Sequence, residues 1–132
     1  MRTRHDGQWL GRTDGDTPGW AVIELEHVTD TQLTGIAYSF PDDPTIASAA
    51  VQIEMAAGQN RFEGKDLPVI GFRPQDGFVF PYDRVSEVFP ESLISSHADV
   101  AVDFVGDVAR VEFKTALVTG YGDLRKGHAD PN

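Results

Sequence analysis

The sequence contains no cysteine and no apolar run of the roughly 18 residues that a membrane-spanning helix needs. Without cysteine the chain cannot form disulfides or use thiolate chemistry, which fits a reducing compartment. The opening residues, Met1 to Asp6, continue into polar sequence without the apolar core of a signal peptide. We therefore expect a cytoplasmic protein that has no membrane partner.

Basic side chains are missing from a long stretch as well, because no Lys or Arg occurs between Arg12 and Arg61. That stretch carries eight acidic residues of a chain whose formal net charge is −10: Asp14, Asp16, Glu24, Glu26, Asp30, Asp42, Asp43 and Glu54. Proteins bind nucleic acids by neutralising phosphate with Lys and Arg, so we expect no nucleic-acid partner. Solubility is the simplest role of these acids, and docking on a basic protein surface is the alternative.

Signatures of catalysis and of metal binding are also missing. The histidines show none of the spacings that zinc sites use, and they are spread along the chain: His5, His27, His97 and His128. The stretch from Asp14 to Gly19 imitates the start of a calcium loop, but Leu25 stands where the bidentate glutamate belongs. No Gly-x-Ser-x-Gly elbow or phosphate-binding glycine loop occurs. We expect no enzyme activity, no metal and no cofactor.

The pattern that is present is the alternation of apolar and polar residues typical of half-buried strands. The segments that begin at Gly7, Trp20 and Gly35 predict the first three strands of an antiparallel meander. A turn at residues 29–32 would join the second strand to the third. The predicted register then places Leu25 opposite Ile36, Ile23 opposite Tyr38 and Ala21 opposite Phe40.

The C-terminal hairpin has the clearest pattern. Two alternating segments, Ala98 to Val105 and Val108 to Leu117, flank Gly106 and Asp107, a pair suited to a two-residue primed turn. The turn sets a register with three apolar pairs on one face and two opposite-charge pairs on the other. The pairs are Val102 with Val111, Val100 with Phe113, Phe104 with Ala109, Asp103 with Arg110 and Asp99 with Lys114.

The middle of the chain is less regular. A strand is predicted from Ile46 to Met55 and a shorter one from Arg61 to Glu63, and prolines interrupt the rest. Short strands at 69–72 and 77–80 and a helix of at most two turns at 83–89 are the elements we expect there. Residues 1–124 are predicted to form a single all-β domain, and 125–132 a polar tail or linker. We expect a closed, calycin-like antiparallel β-barrel of about eight strands, with a two-sheet β-sandwich as the alternative.

Aromatic residues supply the candidate ligand site. Trp9 and Trp20 bracket a glycine-rich turn, and Tyr38 and Phe40 lie on the strand paired with the Trp20 strand, so these four rings are predicted to converge at one end of the sheet. Two residues of the proline-bounded loop would add polar contacts: Tyr82 and Arg84. The alternative is that Trp9 and Tyr38 are core residues that close the end of a barrel.

Two family resemblances accompany these patterns. The opening Gly7-x-Trp9-x-Gly11 with Gly35 resembles the first hairpins of avidin-like and lipocalin-like barrels. Over most of the chain, the sequence resembles the β-rich region that precedes the FRG domain in some bacterial proteins. That resemblance is carried by the opening motif and by Gly19, Ile23-x-Leu25, Gly35-x-Ala37-Tyr38, Asp43-Pro44, Phe89-Pro90, Ala98-Asp99-Val100 and Val111-x-Phe113-x-Thr115. It implies an accessory or sensing domain that works with a separate effector domain.

The leading expectation for function is a non-catalytic binding or sensing module with a small-molecule ligand at one end of the barrel. The alternative is an acidic interaction domain or inhibitor that occupies the basic surface of a partner protein. Clustering of the acidic residues on one surface would favour the alternative, and their dispersal would favour the first.

Overall fold

The computed structural model describes residues 5–72 and 94–127, and within them the chain is entirely β with no helix. Its strands are β1 (Gly7–Gly15), β2 (Gly19–Thr29), β3 (Gln32–Pro41), β4 (Ser48–Ala56), β5 (Arg61–Phe72), β6 (Ile94–Val105), β7 (Val108–Lys114) and β8 (Thr119–Lys126). Each strand pairs antiparallel with the next, and β8 pairs with β1 to close the barrel. The predicted eight-stranded barrel is confirmed, and this closure excludes the two-sheet sandwich.

The predicted register of the C-terminal hairpin is confirmed at every pair. Val102 lies opposite Val111 and Asp103 opposite Arg110, with Gly106 at a positive φ of 61° in the turn. The charged side chains of this hairpin nevertheless form ion pairs with the strands on either side of it, β5 and β8. Arg61 on β5 donates to Asp103 at 2.6 Å, and Arg110 forms an ion pair with Asp123 on β8 at 3.9 Å. These two ion pairs therefore link β5 to β6 and β7 to β8.

The predicted register of the β2–β3 hairpin is wrong by one residue. Leu25 lies opposite Gly35 rather than Ile36, Ile23 opposite Ala37 rather than Tyr38, and Ala21 opposite Ser39 rather than Phe40. The cause is a β-bulge, because the pairs His27–Leu33 and Thr29–Gln32 leave Val28 as an extra residue. A slip of one residue turns every side chain of a strand to the other face. Ile36, Tyr38 and Phe40 therefore face the outside of the barrel.

Two further predictions differ from the structure in the middle of the chain and at its end. Strand β5 is a single strand of 12 residues, Arg61–Phe72, and not the short strand predicted at 61–63. A register shift between Gly64 and Leu67 precedes Pro68, which has no N–H to give to the ladder. Strand β8 continues to Lys126, two residues into the predicted tail. The strand expected at 77–80, the helix expected at 83–89 and residues 128–132 lie outside the described residues.

Side chains inside the barrel are graded in size along its axis. We call the end with the turns at 30–31, 57–60 and 106–107 the packed end, and the end with the loops at 16–18, 42–47 and 115–118 the cavity end. Large side chains occupy the interior towards the packed end: Trp9, Leu25, Leu33, Met55, Phe62 and Phe104. Small residues occupy the interior towards the cavity end: Ala21, Ala37, Ser39, Ala49, Gly71 and Ala98. In the described ranges no helix is long and apolar enough to span a membrane.

Strands β2 and β3 approach each other closely at Gly35, so a substitution there tests their register. A Cβ atom at this position would collide with the carbonyl oxygen of Glu24 and would come within 2.8 Å of the Leu25 side chain. We expect Gly35→Ala to lower the free energy of unfolding by about 1–3 kcal/mol, as overpacking does. Urea denaturation, monitored by circular dichroism, measures this change in the free energy of unfolding. In Gly127→Ala the nearest added contact is 3.5 Å, so this control should unfold like the wild type.

Candidate functional site

The candidate site is a cavity of about 390 Å³ inside the barrel at its cavity end. Its deeper walls are apolar side chains from five different strands: Ile23, Val51, Val69, Val100, Val111 and Phe113. The space exists because the neighbouring inward positions carry alanine, serine or glycine, whose side chains do not reach the barrel axis. An eight-stranded barrel is just wide enough either to be filled by side chains or to hold one small molecule. In this barrel, side chains fill the interior towards the packed end, and the cavity occupies the interior towards the cavity end.

Loops at the cavity end form the rim. The cavity is lined by residues from each of the three described loops, among them Thr17, Ile46 and Leu117, and by Pro41 at the end of β3. Leu117 is 91% exposed, which is exceptional for a leucine. The turn that carries it is held by Thr115, whose Oγ1 accepts hydrogen bonds from the backbone N–H groups of residues 117 and 118, both at 3.1 Å. Leu117 therefore adds apolar surface to the rim from a locally ordered turn.

Hydroxyl groups are the main polar side-chain groups along the cavity. A β-bulge makes Ser95 an extra residue between the pairs Ser96–Val69 and Ile94–Ile70. Its Oγ donates to the carbonyl oxygen of Val69 at 3.2 Å and lies 3.1 Å from where a Cβ atom of Gly71 would be. The described lining contains no Asp, Glu, His, Lys or Arg. The cavity can thus accept or donate neutral hydrogen bonds but offers no charged partner.

The packed end is sealed by a cluster of rings. Trp9 is fully buried, and its indole N–H donates to the carbonyl oxygen of His5 at 2.9 Å. Phe104 packs edge-on against Trp9 with 5.1 Å between ring centroids, and the His5 ring stacks on Phe104 at 4.4 Å. The Nε2 atom of His5 lies 3.0 Å from the Oδ1 atom of Asn60. Trp9 therefore closes the barrel, as the alternative interpretation of this residue predicts.

The other predicted site aromatics lie on the outer face of the sheet. Trp20 is 46% exposed and lies opposite Phe40, with the Arg12 guanidinium 5.2 Å above its ring. Tyr38 stacks on Phe40 at 5.9 Å. Partial burial raises the pKa of the Tyr38 hydroxyl, and the nearby charge of Glu24 adds to this. Tyr38 belongs to an outer apolar cluster around three buried residues: Ile36, Ala50 and Ile70.

The expected convergence of the four aromatics is therefore wrong. Trp9 points into the barrel, whereas the other three rings pack on its outside. Tyr38 and Phe40 do so because the bulge at Val28 turns β3 over, and Trp20 because it alternates with the inward Ala21 on β2. Tyr82 and Arg84 lie outside the described residues. Of the four predicted residues that the structure describes, only Tyr38 is among those that border the cavity. A ligand-binding role for the six stays a prediction, and in the described residues they share no site.

Acidic residues are divided between the two halves of the barrel. Arg12 donates two hydrogen bonds to the Asp42 carboxylate, at 2.8 and 2.5 Å, which holds the pKa of Asp42 below its ordinary value. The Thr45 hydroxyl and N–H hydrogen-bond Asp43 and lower its pKa. Asp16 accepts the N–H of residue 119 at 3.0 Å. Glu24 is on β2, away from these loops, and accepts from Gln8 at 3.0 Å. Several acids thus have local structural partners.

Metal-binding groups are not assembled in this part of the molecule. Residues 5–72 and 94–127 contain no cluster of three or more His, Asp or Glu side chains arranged to hold a metal ion. The cavity is accordingly described by shape and polarity alone.

Comparison with known proteins gives no relative from which a function could be transferred. The chain matches no protein-family model, and no curated protein matches it. Its relation to the region that precedes FRG domains stays a prediction based on short motifs.

Substitution of the two tryptophans tests which one closes the barrel. We expect Trp9→Ala to lower the free energy of unfolding by about 3–5 kcal/mol, because a buried ring is lost from the packed end. Trp20→Ala should cost about 1 kcal/mol or less, since its ring is half exposed and contacts mainly Arg12 and Phe40. Guanidinium denaturation of both variants provides the comparison. Equal costs would contradict the plug at Trp9.

Proposed function

We propose that this domain is a non-catalytic binding module that takes a small, mainly apolar molecule into the cavity of its barrel. The observation that carries the proposal is the 390 Å³ cavity in an interior that is otherwise well filled. Ligand pockets in proteins typically have volumes of about 300–1,000 Å³ and apolar walls with few polar groups. Burial of apolar ligand surface would drive binding, at about 25 cal/mol for each Å² removed from water.

The frame around the cavity supports the proposal. Its walls are strands whose hydrogen-bonded ladders continue around the barrel, and its buried apolar lining belongs to the same core cluster as Trp9 and Phe104. A ligand would therefore enter a site that is already formed, and little ordering of the described walls would oppose binding. The exposed Leu117 at the rim adds apolar surface where a ligand would pass.

The small side chains at the inward positions next to the cavity also support a binding role. Empty space in a core reduces stability, by an amount that grows with the volume of the cavity. Larger residues at inward positions such as Ala37 or Ala98 would fill this space. A barrel that instead carries small residues at several adjoining inward positions keeps a stability cost that a bound ligand would offset.

Two other functions are less well supported. An acidic domain that docks on a basic partner would be expected to present its acids free on one surface. Asp16, Asp42 and Asp43 in the cavity-end loops instead have local partners, and Glu24 lies apart from them on β2. Catalysis would need a nucleophile next to a base, and the described lining contains serines but no His, Asp, Glu or Lys. Both points favour a binding role.

Filling the cavity tests the proposed function. Ala98 on β6 lines the cavity, whereas Ala101 on the same strand faces outward between Glu63 and Glu112. The uncharged dye phenylnaphthylamine, which fluoresces in apolar surroundings, serves as the probe. We expect Ala98→Leu to weaken dye binding by about tenfold or more, equivalent to about 1.4 kcal/mol. Ala101→Leu is the matched control and should bind like the wild type.

Stability measurements accompany the binding assay. Thermal melts should show that Ala98→Leu is at least as stable as the wild type, because the new side chain fills existing space. Dye binding that is unaffected by Ala98→Leu, or absent in the wild type, would contradict a ligand site inside the barrel.

A further inference from the structure

We propose that the cavity selects uncharged ligands and rejects anionic amphiphiles such as fatty-acid carboxylates. This inference rests on the proposed function, because it concerns the ligand of the same cavity. The lining of the cavity and the charge of its rim support it independently.

The lining has nothing to pair with a negative charge. No Lys, Arg or His is among the described residues that border the cavity, and the polar side chains of this lining include hydroxyls such as those of Ser39 and Ser96. A buried carboxylate is stable only when charged or multiple hydrogen-bond donors replace its water, usually Arg or Lys. A hydroxyl, aldehyde or ester group needs one or two neutral hydrogen bonds, which serines can supply. The interior therefore favours a neutral head group.

The rim repels anions as well. Asp16 directly precedes the rim residue Thr17, and Asp42 and Asp43 directly follow Pro41. Hydrogen bonds to the ionised carboxylates of Asp42 and Asp43 hold their pKa values below the ordinary range, so both are charged at neutral pH. Arg12 forms an ion pair with Asp42.

Lys114, the basic residue next to the β7–β8 loop, does not offset the negative charge beside the rim. Lys114 ends β7 and lies opposite Asp99 in the ladder, on the outward face of the sheet. Within the part of the rim that the structure describes, an anionic head group would therefore meet acidic side chains rather than a cation.

A head-group series tests the selection. Decanol, decanal and decanoate share one alkyl chain and differ in the polar end, and each is titrated at neutral pH against wild-type protein loaded with phenylnaphthylamine. We expect decanol and decanal to displace the dye and decanoate to do so at least about tenfold more weakly, because its charge must be desolvated beside acidic residues. Ala98→Leu, which holds little dye, is titrated directly by calorimetry and should lose binding of decanol and decanal, which confines the effect to the cavity.

A rim variant provides the reciprocal test. Leu117 borders the cavity yet is 91% exposed, so its side chain can be exchanged without disturbing the core. We expect Leu117→Lys to strengthen decanoate binding by about threefold or more relative to Leu117→Gln, the uncharged control. Decanol binding should be the same in both variants.

The outcomes separate this inference from the proposed function. If decanoate displaces the dye as well as decanol does, the selection against anions is overturned while the binding function stands. If Leu117→Lys leaves decanoate binding equal to that of Leu117→Gln, the role assigned to rim charge is overturned. If neither the dye nor any member of the series binds the wild type, the proposed function fails, and the inference fails with it.

Discussion

Closure of the barrel between its first and last strands is the constraint on which the rest of the structure depends. Strands β1 and β8 pair from Trp9–Lys126 to Gly15–Gly120. Two glycines permit this contact, because a Cβ atom at Gly11 or Gly122 would collide with the backbone of the facing strand. Without the seam both strands would be exposed edges, and the interior would open to water along its full length.

A closed barrel of eight strands has an interior of fixed width, so the size of the inward side chains decides whether it is solid or hollow. In this protein both outcomes occur in one molecule. Rings and long aliphatic chains fill the packed end around Trp9 and Phe104, while alanine and glycine leave space towards Thr17 and Leu117. The filled half supplies the stability that the hollow half lacks, and the same division gives the proposed ligand a rigid floor.

The success of the sequence-based predictions varied between hairpins for a local reason. The Gly106–Asp107 turn is followed and preceded by regular alternation, so turn type alone set the β6–β7 register. In the β2–β3 hairpin the extra residue Val28 leaves no mark in the apolar pattern, and the predicted register was one residue out. That single error placed Tyr38 and Phe40 inside the barrel, and the predicted aromatic site followed from it. A size gradient along each strand, from Ala21 to Leu25 and from Ala49 to Met55, was the signal that could have indicated the cavity.

The sequence by itself determined the β class, the approximate number of strands and the pairing of the last hairpin, because alternation and turn chemistry are local properties. Only the tertiary structure decided which aromatic is a plug and where the barrel is hollow. The cavity is lined by residues as distant in the chain as Ala21, Val69 and Phe113, and its volume is what remains after all of their side chains are placed. No local sequence pattern predicts this volume. It arises from closure, register and bulges acting together.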